Sequence, residues 1–415
     1  MIKGNPKIKQ RGLPKGISWI PVKKALFQIK KRLSRKVREI KLATSQAENF
    51  ILSQKVKALR DSPPLTNSAV DGYAFKFPNK DIDRKLEILP YSVYPGELFK
   101  FKVQKGKAIK VLTGAVIPAE TDTVILQEDI PKASDQFKIP ESLRKGANTR
   151  RSGEDKKKAE VLFNMGYKLR SQDLALLASA GVPHVSVFER LRVGVLSTGD
   201  ELVDITAKAQ NFQIYDSNRP MLISQLRKWG HEVFDLGIVR DEGESLRSII
   251  VTNRLNLDLI VTTGGASAGD KDYVSSLLNS EGDMVVWRVA IKPGRPFAMG
   301  FIDNLPIYAL PGNPVAAFVC CLMFLKPSLD FLSGGQFLPA RDFILRANFA
   351  KFKKRGRTEF LRAKVNKQGS VDVFPSEGSG RVSGLAWSTG LVQLDDNVTE
   401  VQIGSPVKFL PYELF

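Results

Sequence analysis

LRVGVLS (residues 191–197), SNRPMLISQLRKWG (217–230), HEVFDLGIV (231–239), GESLRSIIVTNRL (243–255) and DLIVTTGG (258–265) follow one another as strand, helix, strand, helix and strand. Short apolar runs bounded by turn residues alternate with stretches of helical period, and these spacings predict a parallel sheet with right-handed crossovers. Two more strand-like runs, MVVWRVAI (284–291) and PIYAL (306–310), lead to a buried helix starting at Pro314, a residue suited to a first helical turn. Ligands of open α/β sheets bind beyond the carboxyl ends of the strands. That rule singles out STGDE (197–201), VRDEG (239–243), TTGGASAGDKD (262–272) and ALPGNP (309–314).

Outward from this block the pattern changes on both sides. From Asp61 the chain breaks into short strands such as AIKVL (108–112) and DTVILQE (122–128), punctuated by Pro63, Pro64, Gly72, Pro95, Gly96 and Gly114, which predicts a β-rich insertion over 61–144. Residues 145–188 return to charged and helical patterning. DLALLASAG (173–181) there ends on glycine as a helix does, and the segment is expected to rejoin residues 1–60 in a helical linker domain. Beyond Gly334 and Gly335, FILRANF, FLRAKV, VDVFP and GLVQL read as strands of a small barrel-like domain over 331–415. The expected fold class is multidomain α/β: the parallel-sheet domain at 189–330, the β-rich insertion, the helical linker and the C-terminal β domain.

The formal charge of +20 suggests nucleic acid until its location is examined. Residues 1–60 hold 17 lysines and arginines against only Glu39 and Glu48, so the other 355 residues carry about +5. The excess belongs to a basic arm and a first helix, where Val22, Leu26, Ile29, Leu33, Val37 and Ile40 form one apolar stripe. No aromatic platform accompanies it, so no specific nucleic-acid partner is expected. Cys320 and Cys321 are neighbours in an apolar run, unable to bridge each other or to make a metal spacing, and read as core. His184 and His231, the only histidines, sit far apart beside strand-like runs and make no triad or metal set. The longest apolar run, near Val315 to Leu325, falls short of the roughly 20 residues of a transmembrane helix. The N-terminal stretch has no secretory pattern, and a cytoplasmic location is expected.

The chemistry concentrates in the loops after the strands. VTTGGASAGDKDYV (261–274) joins a strand to a helix; Gly264, Gly265 and Gly269 let backbone amides approach an anion and Ser267 adds a hydroxyl. It has neither the lysine and spacing of a Walker A loop nor the full dinucleotide fingerprint. Asp200, Glu201, Asp241 and Asp272 fall at strand ends, and carboxylates beside a phosphate cradle suit a hard cation such as magnesium. AIKPGRPFAMG (290–300) fixes Lys292 and Arg295 about a stiff Pro-Gly turn suited to a small oxyanion, and ALPGNPVAAF (309–318) sets a helix start beside it. Together these loops describe a site for phosphates, a divalent cation and an oxyanion.

In that order along the chain, SPPLTNSAVDGYAF (62–75), LTGAVIPAETDTVILQED (112–129), RRSGEDKKKAE (150–160), VLSTGDELV (195–203), IYDSNRPML (214–222), TGGASAGDKDYV (263–274), IKPGRPFAMG (291–300), LPGNPVAAF (310–318) and GRTEFLRA (356–363) resemble the molybdopterin molybdotransferases of the MoeA type, a family that includes the C-terminal domain of gephyrin. The resemblance implies a homodimer of four-domain subunits in which one subunit's pterin-binding sheet domain shares each active site with the other's insertion. It implies that adenylylated molybdopterin and molybdate give molybdenum cofactor and AMP, with Mg2+. Matched position by position, Asp71, Thr113 and Asp155 correspond to residues facing the partner's site, and Glu201, Asp241, Ser267 and Asp272 to the pterin-phosphate and magnesium region. Lys292, Arg295, one of Arg357 and Arg362, and one of Ser379 and Ser383 correspond to the oxyanion region. Two departures stand out: Ala316 occupies a position where the family often has serine, and Arg295 replaces the commoner lysine. A non-catalytic pterin-binding or scaffold protein is the alternative, against which Asp71, Glu201, Asp272 and Lys292 are all present.

Overall fold

A computed structural model of the chain describes residues 19–78, 85–131, 134–265 and 273–415. Ser267, Gly269 and Asp272, and the basic arm before Trp19, lie outside the described residues. The chain divides into two compact units. One takes in the chain through Ile40, Asn49–Ile51 and Phe188–Phe415; the other is Lys41–Glu48 with Leu52–Val187.

In the first unit a six-stranded sheet runs in the order Glu232–Val239, Arg192–Thr198, Leu259–Thr263, Leu305–Leu310, Ala298–Ile302 and Asp283–Trp287. Its first four strands are parallel. Alternate side chains enter two cores: Val193, Val195, Leu259, Val261 and Tyr308 on one face, and Leu196, Ile260 and Ile307 on the other. Covering both faces is why these strands read as unbroken apolar runs rather than alternating ones.

The parallel strands read from the sequence are joined by one it did not read, Ala298–Ile302, which pairs antiparallel on both sides. The reason is local: Asp303 and Asn304 adopt φ of 49° and 65°, the left-handed pair that a two-residue hairpin turn requires, and Asx residues tolerate it best after glycine. The first helix is also shorter than its apolar stripe. It covers Val22–Arg32 and gives way at Leu33, which is extended, after the cations Lys30, Lys31 and Arg32. Val37 follows outside the helix but still packs on the same core as Ala25, Ile29 and Leu33. The helix therefore belongs to the sheet unit, whereas the Ser171–Ser179 helix, once expected to rejoin it, belongs to the other.

The apolar helix from Pro314 runs to Leu332 in three parts, with a π-helical turn at Cys321–Leu325 between α-helical halves. Pro327 explains the widening, since it has no N–H for the carbonyl four residues back and its ring crowds that carbonyl. The helix is long and apolar enough to cross a membrane by length and composition alone, yet 83% of its apolar window is buried here. Cys320 and Cys321 are buried and unpaired within it.

The C-terminal strands Phe343–Arg346, Thr358–Val365, Val371–Val373, Gly390–Leu394 and Pro406–Pro411 form a small ring, closed by a single bridge between Ala347 and Val371. Ala363, Val392, Leu394, Val407 and Phe409 fill it. A short strand from outside this sequence, Ile291–Lys292, extends the same sheet by pairing parallel with Thr358–Glu359. In the second unit a five-stranded sheet runs Thr123–Leu126, Gly72–Phe75, Lys107–Val111, Lys85–Val93 and Gln136–Lys138.

The loop after the first sheet strand is pinned by one buried arginine. Arg219 reaches Asp235 at 2.6 Å, Asp216 at 3.0 Å and Asp204, and Asp216 also accepts the amides of Asn218 and Arg219. Asp216 is 2% exposed at its side chain, so removing the guanidinium would strand a buried charge. Arg219→Met should destabilise the fold by about 3–5 kcal/mol. Urea denaturation checks this, and a loss below about 1 kcal/mol would mean that solvent reaches Asp216 and replaces the pair.

Candidate active site

At the carboxyl ends of the sheet strands, three loops are tied together by Asn218. Its side-chain amide donates to Thr263 Oγ1 at 2.7 Å and to the Gly312 carbonyl at 2.6 Å, so the helix it opens, the glycine loop and the Pro314 helix start share one anchor. Gly264 and Gly265 follow with φ of 93° and 61°. Gly264 has no room for a Cβ, which would lie 2.3 Å from the Thr198 carbonyl. The Thr198 hydroxyl beside these glycines is buried and, among the described residues, has no partner. Glu201 folds back so that its carboxylate would lie 2.9 Å from a Cβ on Gly199, and the Asp241 amide donates to Asp200 at 3.2 Å. Asp200 thus meets the Asp241 backbone at the strand ends, and Glu201 lies beside Gly199. Among the described residues no three of these carboxylates converge as a ready metal cage.

The residues expected to meet the oxyanion lie on other elements. Lys292 lies opposite Glu359 in the strand register; its ammonium is 3.5 Å from Glu359 and 2.7 Å from Glu377. Lys351, absent from the sequence reading, contacts the same two carboxylates. The turn that carries Lys292 depends on Gly294, at φ 115°, where a Cβ would meet Cys320 Sγ at 2.5 Å. Arg295 and Arg357 both lie over the Trp19 ring, at 5.5 and 5.3 Å.

The ambiguous pairs acquire different surroundings. Arg362 is buried and its two terminal nitrogens are engaged with the carbonyls of Arg381, Ser376 and Gly378, so it is a clamp on the 376–381 loop. The Ser379 carbonyl accepts the Val315 amide at 3.1 Å, which joins that loop to the Pro314 helix start; Ser383 is exposed and begins the short Ser383–Trp387 helix. Ala316 is buried in the Pro314 helix.

In the second unit the sequence-distant Asp71 and Thr113 meet. One Asp71 oxygen accepts the Thr113 amide at 2.7 Å and its hydroxyl at 2.8 Å, and these bonds hold the carboxyl below the usual carboxylate range. Asp155 donates its amide to the Ser62 carbonyl at the start of the Asp71 segment, and Asn67–Ser68 pairs with Thr149–Arg150, so all three N-terminal motifs interlock. The side chains that the sequence reading missed, Asn218, Arg219, Lys351 and Glu377, act through contacts made only in three dimensions. The one linear signal was the NRP run at 218–220, read as a helix start.

Comparison with known proteins gives three family models in succession. The MoeA N-terminal region (domain I and II) matches residues 20–181, a probable molybdopterin binding domain matches 194–330, and the MoeA C-terminal region (domain IV) matches 345–412. A molybdopterin molybdenumtransferase from Haemophilus influenzae is 34% identical over 377 residues, covering 89% of this chain and 93% of the relative. Molybdopterin molybdenumtransferase 2 of Mycobacterium tuberculosis is 30% identical over 389 residues, covering 91% and 96%. The crystal structure of the molybdopterin biosynthesis MoeA protein from Pyrococcus horikoshii superposes with a TM-score of 0.82 at 26% identity, covering 95% of this chain and all of that one.

The ammonium group makes the site's pH behaviour directional. Hydrogen bonds from Lys292 and Lys351 hold the Glu377 carboxyl at about 2, below its ordinary 4.5. A depressed folded value contributes stability above the unfolded value and loses it as pH falls through the folded one. The stability difference between the parent and Glu377→Gln should therefore be constant above pH about 5 and shrink between about 4.5 and 2. Denaturation midpoints across that range test it; a difference that grows with acidity would reverse the assignment.

Proposed function

The chain belongs to the MoeA family of molybdopterin molybdenumtransferases, and from that premise we propose that it transfers molybdenum from molybdate to adenylylated molybdopterin, releasing AMP and forming molybdenum cofactor. The observation that carries this reading is the turn Pro311–Val315, which touches both halves of the first unit's site. Its Gly312 carbonyl is bound by Asn218 at the phosphate cradle, and its Val315 amide is bound to Ser379 in the loop of the ammonium cluster. A phosphate-bearing substrate and a small oxyanion would thus be presented to each other across one rigid turn, the positioning that makes such encounters effectively intramolecular.

In this reading the Gly265 amide and the Thr198 hydroxyl bind the phosphate chain, and Lys292 holds molybdate by charge-assisted hydrogen bonds, with Arg295 and Arg357 nearby. The phosphoanhydride is cleaved by water: a bond from the water oxygen to phosphorus replaces the bridging P–O bond, AMP departs with one phosphate and the pterin keeps the other, while two pterin thiols bond to molybdenum and their protons leave with one molybdate oxo group as water. Glu201 and Asp241, with Asp272, would hold magnesium. The residues fit it: the donors are all hard oxygens, the Thr198 hydroxyl has no partner among the described residues and lies beside Gly264 and Gly265, and a carboxylate pair completed by substrate phosphate is how this ion is usually held. Magnesium, when bound, offsets charge that develops on the phosphoanhydride oxygens. Asp71, oriented by Thr113, would complete the site of a second copy in a homodimer.

AMP release from adenylylated molybdopterin by the purified protein is expected to need both a divalent cation and molybdate. Equal release without molybdate would reject the coupling of the two halves. Co-expression of Asp71→Asn with Lys292→Gln, each inactive alone, should restore part of the activity in mixed dimers; no recovery would place both residues in one subunit's site.

A further inference from the structure

Beside Lys292 a cavity of about 170 Å3 is lined by Lys351, Glu359, Arg362, Ser376 and Glu377. At roughly 30 Å3 per water molecule it has room for a small tetrahedral oxyanion. Four charges meet there in alternation: the Lys292 ammonium is shared by Glu359 and Glu377, and the Lys351 ammonium contacts both as well. Resting on the molybdate reading of this site, we propose that Lys351 is a second ammonium ligand for the oxyanion and that the Glu377 carboxylate is its internal competitor, occupying the two ammonium groups until molybdate displaces it.

The four members are not equivalent. The side chains of Glu359 and Lys351 are 4% and 11% exposed, whereas that of Glu377 is 50% exposed. Glu359 is fixed within a strand and remains to balance one lysine. Glu377 sits on a loop whose backbone is clamped on either side, by Arg362 at the Ser376, Gly378 and Arg381 carbonyls and by Val315 at Ser379. Its side chain can therefore rotate away without moving the loop, and the motion leaves two ammonium groups and one buried carboxylate. That net charge of +1 attracts an anion, and a dianion gains more from it than the monovalent carboxylate it replaces. Because lysine contacts keep Glu377 ionised well below neutrality, displacement proceeds by rotation and not by protonation. The arrangement discriminates against monoanions, which would exchange one single charge for another.

Molybdate binding, titrated calorimetrically without pterin, separates the possibilities. Glu377→Gln should lower the Kd for molybdate about tenfold and Lys351→Gln should raise it about tenfold, with Lys351→Arg retaining most binding. Combining Lys351→Gln with Glu377→Gln should abolish the gain, because the two act on one pair of charges. An unchanged or higher Kd in Glu377→Gln, in a protein that still releases AMP on molybdate addition, overturns the competitor. Tightened molybdate binding in Glu377→Gln without any molybdate-dependent AMP release supports the competitor and overturns the functional reading instead.

Discussion

The pairing of Ile291–Lys292 with Thr358–Glu359 is the constraint from which the candidate site follows. Two residues leave the α/β layer, join the edge of the C-terminal ring and return through Pro293 and Gly294 to the sheet strand Ala298–Ile302. Register in a strand is all or nothing, since a slip of one residue turns a side chain to the opposite face. The position of the Lys292 ammonium is thereby set by backbone hydrogen bonds rather than by the four flexible carbons of its own side chain. Gly294 makes this possible, because any Cβ there would be driven into Cys320.

Around that pairing the molecule holds its charges in two ways. Arg219 is buried among three aspartates that also bond to backbone amides, a network that fixes a loop. The Lys292 and Lys351 cluster has one member in solvent, so it can open on one side while the buried Glu359 keeps its partner lysine compensated.

Much of this was legible in the sequence, and what was not has a common cause. Continuous apolar runs at 192–198, 259–263 and 305–310 announced strands covered on both faces, and the Pro314 helix start and the glycine turn at 264–265 carried their own signals. The strand Ala298–Ile302 was hidden because its sequence, AMGFI, carries a glycine and follows a turn read for its charges; the Asp303–Asn304 pair was the available hint. The first helix was drawn too long because Leu33 and Val37 keep its apolar spacing while packing from extended chain. Asp71 with Thr113, and Lys351 with Glu377, are separated by 42 and 26 residues, and no periodicity joins positions brought together only by the fold.

The helix Val22–Arg32 lies against Asp283–Trp287, the outermost strand of the main sheet, with Arg32 paired to Asp283 and Ile20 bridged to Val289 just beyond that strand. An outer strand carries a row of unpaired backbone donors and acceptors that another chain can extend. The helix thus has a protective side: its apolar face covers part of that strand, while its lysines face water. Solubility as well as packing therefore constrains what the residues of Val22–Arg32 can become.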